Sequence, residues 1–155
     1  MAQEAEGEGP HLPDPRRGAR RVGTMSGERE LRALLSGMRP EVNPGRFVFT
    51  TVPGALPEGL APVVTVTEPE GRTLVVHQEE ADRAGLAYDY VAAWITLRVH
   101  SALDAVGLTA AVATALAQAG LSCNVVAGFH HDHLFVPYAA ADEALRRLRA
   151  LADRA

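Results

Sequence analysis

Between Trp94 and Ala152 the spacing of apolar residues switches from strand period to helix period and back, twice over, and this restricts the fold more than any other feature. Residues 94–100 alternate, with Ile95, Leu97 and Val99 on one face, so a strand is expected. Residues 101–106 read as a linker. From about residue 107 to 119, Leu108, Val112, Ala115, Leu116 and Ala119 share one side of a helix, and Gly120 supplies a left-handed stop. Residues 121–128 and 132–137 read as strands, and 140–152 as a last helix with Leu145, Leu148 and Leu151 turned inward. The order β-α-β-β-α is most of a split βαβ unit whose final strand is missing or supplied from the first half of the chain. The expected class is α+β, an antiparallel sheet covered on one face by helices.

The first half carries weaker versions of the same signals. Leu31, Leu34, Leu35 and Met38 recur at helical spacing, which predicts a helix over residues 26–38 with Ser26 as cap and Gly37 and Pro40 near its stop. Residues 46–52, 63–67 and 73–77 are β-branched and aromatic, hence strands. Pro53-Gly54 closes the first, Pro57, Gly59 and Pro62 mark a loop, and Glu68-Pro69-Glu70-Gly71 is a hairpin turn. Residues 78–84 read as a short helix ended by Gly85. Residues 1–24 hold only Met1, Leu12 and Val22 as scattered apolar residues among Glu, Gly, Pro and Arg, so disorder is expected there. Met25 opens a segment of different character, which is the reading expected of a true translation start.

Composition excludes several chemistries. All 15 basic residues are Arg, so Schiff-base formation, a Walker lysine and a lysine general base are ruled out. A net charge of -4 without clustered cations argues against nucleic acid as a partner. No apolar run approaches the ~20 residues of a membrane span. Arg16-Arg17 and Arg20-Arg21 precede no apolar stretch, so an export signal is not expected and the cytoplasm is. Cys123 is the only cysteine, which excludes an intrachain disulfide and a cysteine-based zinc site, and its apolar setting predicts an inert buried thiol.

The runs Val106-Gly107-Leu108-Thr109-Ala110-Ala111-Val112 and Ala117-Gln118-Ala119-Gly120-Leu121-Ser122 resemble the ACT-domain pattern of strand, Gly-Leu turn, helix and Ala-x-Ala-Gly-Ile. The wider set is similar to a bacterial family of small two-ACT proteins. It includes Pro44-Gly45-Arg46-Phe47-Val48-Phe49, Trp94-Ile95-Thr96-Leu97, Cys123-Asn124-Val125-Val126-Ala127-Gly128 and His131-Asp132-His133-Leu134-Phe135-Val136-Pro137. The resemblance spans about residues 26–152. It implies two ferredoxin-like modules of βαββαβ type, over 25–91 and 92–155, and a non-catalytic sensor that binds a free amino acid, as a homodimer and without a cofactor. By the resemblance the ligand touches Val106, Gly107, Leu108 and Thr109, with Asn124 and Val125 opposite and Ser101 beside the turn. Asp132 matches an Asp of distantly similar arginine-sensing ACT proteins and would take an amino or guanidinium group. Independently, a glycine at a helix start admits a ligand to free backbone N–H groups, which attract a carboxylate.

Each candidate has a plainer alternative. His131 and His133 would share a strand face and could meet a metal, but no third ligand is evident, so His130-His131-Asp132-His133 reads as a polar hairpin tip. His100 reads as a polar strand-end residue, and Ser101-x-x-Asp104 as a capped turn. Thr109 either donates to a ligand or bonds back to its helix. Asn124 in an apolar strand needs a partner from backbone or ligand if buried. Two function classes compete with sensing: a pure interaction module pairing through a sheet edge, and a small enzyme using the His cluster.

Overall fold

The computed structural model describes residues 28–155; the expectations for residues 1–24, Met25 and Ser26 lie outside them. Seven strands alternate with four helices: α1 Leu31–Gly37, β1 Arg39–Val42, β2 Phe47–Val52, β3 Val64–Glu68, β4 Gly71–His77, α2 Gln78–Arg83, β5 Val91–Arg98, α3 Leu108–Gln118, β6 Asn124–Ala127, β7 Asp132–Pro137 and α4 Ala141–Asp153. A short 3-10 turn, Tyr138–Ala140, leads into α4. All strand pairs are antiparallel, in one curled sheet of order β3-β4-β2-β5-β7-β6, with β1 paired to β5 off this path.

Strand β5 belongs to both halves. Its start, Val91 and Ala92, pairs with Val48 and Phe47 of β2, while Ile95–Arg98 pair with Val42–Arg39 of β1 along the same edge. The second half therefore does obtain its missing strand from the first, as one of the two alternatives allowed. Strand β1 itself was not foreseen. Pro40 reads as a breaker, yet a strand paired on one side only tolerates a residue without an N–H. No regular element fills residues 53–63, where the first half's proline- and glycine-rich segment lies.

Helix α1 starts at Leu31 rather than at Ser26. Glu28 is held beside the end of β5, its N–H donating to His100 O at 2.9 Å and its carbonyl accepting from Ala102 N at 3.1 Å. Glu30 then caps the helix, its carboxylate accepting from Arg32 N at 3.1 Å and Ala33 N at 2.7 Å. The other elements lie within a few residues of their expected bounds.

The period-2 alternation of the strands sorts the core into two faces. On the helix-bearing face, Leu34 and Met38 join Ala93, Ile95, Leu97, Leu108, Val112, Leu116, Leu134, Val136, Ala144 and Leu148, all buried. Leu145 and Leu151 pack on this cluster, as their spacing requires. Val48, Val52, Leu74, Val76 and Ala81 extend the same face under α2. The opposite face carries no helix, and there the aromatic rings cover one another. Phe47, Val75, Ala92 and Phe135 are buried beneath Phe49, Tyr90, Trp94 and Val126. Edge-to-face contacts join Phe47 to Trp94 at 5.3 Å and Phe49 to Phe135 at 5.4 Å between ring centres.

Candidate functional site

Beyond Arg98 the chain leaves the sheet and reaches α3 through residues 99–107. Ser101 N–H donates to Val99 O and Ala105 N–H to Ala102 O, so the loop is coiled rather than extended. A cavity of about 240 Å³ opens against it, lined by Arg29, His100, Ser101, Leu103, Asp104 and Phe129. Arg29 donates to Asp104 through Nε at 3.0 Å and Nη2 at 3.3 Å, a fork on a carboxylate. Both side chains stay open to solvent, 60% and 70% exposed, so this pair contributes little to stability. The backbone N–H groups of Glu30 and Arg29 hold the neighbouring Glu28 carboxyl below its usual range.

The rim is apolar to an unusual degree for a loop. Val106 is 82% exposed, Leu103 68% and Phe129 63%. Phe129 and His130 come from the β6–β7 hairpin tip, where His130 faces His100 with ring centres 6.1 Å apart and His131 Nδ1 lies 3.3 Å from Val99 O. Asp132 stands opposite Leu97 at the start of β7, half-buried, with its carboxyl raised by burial and pulled back by His133 and His131.

The residues expected to hold a ligand are thus only partly assembled. Ser101 lines the cavity; Val106 and Thr109 are exposed on the turn that follows; Asp132 reaches the same end of the sheet. Gly107 has φ 104° and caps α3, as a left-handed glycine can. The space above it is not open, however. A Cβ there would lie 3.0 Å from a Leu31 methyl, so the close approach expected of a ligand is made by the chain's own leucine. Leu108 is a core residue of the helix-bearing face, and Val125, half-buried, packs against it. Asn124 is exposed, and strand alternation turns it to the opposite face, so it needs no buried partner. Beside it the Tyr90 hydroxyl is buried and makes no well-formed hydrogen bond among the described residues; burial raises its pKa, and the nearby Ser122 and Asn124 side chains lower it.

The His133 ring is engaged through one nitrogen. The Trp94 indole N–H donates to His133 Nδ1 at 3.1 Å, and Thr96 Oγ1 lies 3.2 Å from the same nitrogen. Asn43 Nδ2 completes the chain by donating to Thr96 Oγ1 at 2.9 Å. An indole N–H only donates, so Nδ1 accepts and the imidazole is neutral with its proton on Nε2. Burial lowers the His133 pKa, as does His131, while Asp132 opposes them. Among the described residues no group of three or more His, Cys, Asp or Glu side chains could hold a metal. Cys123 is pushed up to about 11 by burial and packs against the helix-face core.

Arg29, Asp104 and Phe129 were not foreseen as site residues. The sequence offers Asp104 as a cap, and Arg29 lies 75 residues away from it with no local signal. The one usable clue was apolar side chains in turns, at Leu103, Val106 and Phe129.

Two different profiles of the ACT domain match the chain, one over residues 26–93 and the other over 90–150. Among solved structures, a Vibrio cholerae protein of unknown function, described as a possible transport protein, is 50% identical, with a TM-score of 0.73 over 79% of this chain and 95% of that one. An Agrobacterium tumefaciens protein is similar in fold at 18% identity and a TM-score of 0.61, over 74% of this chain and 89% of its own. The ligand-free regulatory subunit of aspartate kinase from Thermus thermophilus shares the fold at 11% identity and a TM-score of 0.55, over 72% and 95% of the two chains. Among curated proteins none matches.

Proposed function

The chain belongs to the ACT-domain family, and from that premise we propose that it is a non-catalytic cytoplasmic regulator whose ligand is a free amino acid. Regulatory amino-acid binding is the role of the family. The aspartate kinase regulatory subunit, with which this chain shares its fold, is a neighbour of that kind. The observation that carries the reading here is the cavity after β5, which offers a guanidinium, a carboxylate and an apolar wall within about 240 Å³. An α-amino acid presents the complementary set. Its carboxylate replaces Asp104 on the Arg29 fork, its ammonium takes the Asp104 carboxylate, and its side chain lies on Leu103 and Phe129. Because the exposed Arg29–Asp104 pair is worth little by itself, exchanging it for a ligand loses little. In this reading Ser101, which lines the cavity, adds a hydrogen bond, and Val106, Gly107, Leu108, Thr109, Asn124, Val125 and Asp132 are not among its lining residues.

Calorimetric titration of the chain with each of the twenty amino acids tests the reading. At least one should bind, and Arg29→Gln and Asp104→Asn should each weaken that binding by about tenfold or more, as expected for loss of a charge-assisted hydrogen bond. Saturable binding that both variants leave intact would move the ligand elsewhere.

A second reading, an interaction module formed by two copies, is favoured by the exposed Leu103, Val106 and Phe129 around the same cavity. Sedimentation of the chain with and without amino acid separates the two. A dimer that ignores the ligand and dissociates in Val106→Asp supports the module.

A further inference from the structure

A second cavity, of about 640 Å³, opens where β1 turns into β2, at the start of β5 rather than beyond its end. Its walls are the loop Gly45-Arg46, the first residues of α2, and Tyr138. The Arg46 guanidinium carbon lies 4.5 Å from the centre of the Tyr138 ring, and Arg46 O accepts from Gln78 N at 2.8 Å. Both ends of this arginine are therefore held before any ligand arrives. Stacking on an aromatic ring leaves the in-plane N–H fork of a guanidinium available to an anion. Gly45 adopts φ 102° and presses on His77. A Cβ there would lie 2.8 Å from the imidazole, which in turn meets the Phe47 ring at a tilt of 37° with ring centres 4.4 Å apart. The loop that carries Arg46 is thus fixed against the sheet.

Charge in this cavity is also uncommitted among the described residues. Among the described residues, the ion pairs formed are Arg29–Asp104, Arg98–Glu41 and those of Glu143 with Arg146 and Arg147. Arg46 and Glu79 line one cavity and take part in none of them. A positioned cation with an unengaged carboxylate in the same recess is complementary to a small molecule carrying a carboxylate and an ammonium.

We propose that this cavity is a second ligand site, in which Arg46 binds the carboxylate of a small amino acid and Glu79 receives its ammonium. The site does not rest on the cavity at Arg29 and Asp104. Its ligand reaches the sheet at β2 and the start of α2, and the two cavities share no lining residue.

The test is amide NMR on the full chain, titrated with alanine, leucine, phenylalanine and glutamate, each against its deaminated counterpart: propionate, 4-methylpentanoate, 3-phenylpropionate and glutarate. At least one amino acid should shift the Gly45, Arg46 and Gln78 amides in a saturable manner. Arg46→Gln should weaken that binding by about tenfold, and Tyr138→Leu, which keeps the guanidinium but removes its support, should weaken it less. Asp104→Asn should leave it unchanged. The deaminated acid should bind more weakly, and Glu79→Gln should abolish that difference. Shifts confined to the Ser101 and Asp104 amides would support the first site and overturn this one. So would unchanged binding in Arg46→Gln, equal binding of the deaminated acid, or no response at these amides to any of the four amino acids.

Discussion

His133 accepts from Trp94, and this single bond makes the only tryptophan of the chain a reporter of the imidazole's charge. Protonating Nδ1 replaces the acceptor with a donor and breaks the bond. Because the folded state holds His133 below the ordinary value of about 6.5, the unfolded chain takes up this proton first as pH falls. The neutral imidazole's contribution is therefore fully present above that value and is lost as pH falls through the folded value. Asp132 acts in the opposite direction at lower pH, since its raised carboxyl takes a proton in the folded state first. Trp94 emission followed against pH should show a transition below about 6.5 that His133→Gln removes; a profile that the substitution leaves unaltered contradicts the assigned bond. At Gly107 the left-handed backbone and the Leu31 methyl both oppose a side chain. Gly107→Ala should lower stability by about 1–2 kcal/mol from the backbone alone, as read by urea denaturation. None of these three-body facts was legible in sequence. That His131 and His133 share a parity is visible, but what each faces is set by strands 30 or more residues away.

Among the elements, α3 and α4 are legible because each buries one face at helical period, whereas β5 and β7, buried on both faces, are legible as β-branched and aromatic runs between turns. Strand β1 was not, since its four residues, Arg-Pro-Glu-Val, have no alternation to read and contain a proline. Its place is fixed by β5 and by the helix before it. Leu34 and Met38 enter the core of the second half, beside Ile95 and Leu97, although they lie some sixty residues earlier in the chain. Leu34→Ala should therefore cost about 2–5 kcal/mol in chemical denaturation, the range for a buried leucine. Val66→Thr, on the exposed side of edge strand β3, should cost less than about 0.5 kcal/mol. Comparable losses at the two positions would mean that α1 is not part of the core. The loop over residues 53–63 shows the opposite case. Its prolines and glycines announce that no helix forms, and none does.

At the scale of the molecule, the two ACT matches meet at β5, which pairs with β7 over Ala92–Leu97 on one edge and with β2 and β1 on the other. One cavity lies beyond the end of that strand, at His100 and Ser101, and the other beside the β1–β2 turn. The α+β class and the family were readable from the second half alone. The site was readable only as a region, because its charges come from Arg29 and Asp104, which no local pattern connects. The account turns on whether that region binds an amino acid, and thermal denaturation with each of the twenty is the direct measurement. A ligand at 100 times its dissociation constant adds about 2.7 kcal/mol, or about 5–11 °C for a chain of this length. At least one amino acid should give such a rise that Arg29→Gln lowers and Arg46→Gln leaves in place, whatever further rise the cavity at Arg46 adds. No rise with any of the twenty, or no amino acid whose rise Arg29→Gln lowers, contradicts this.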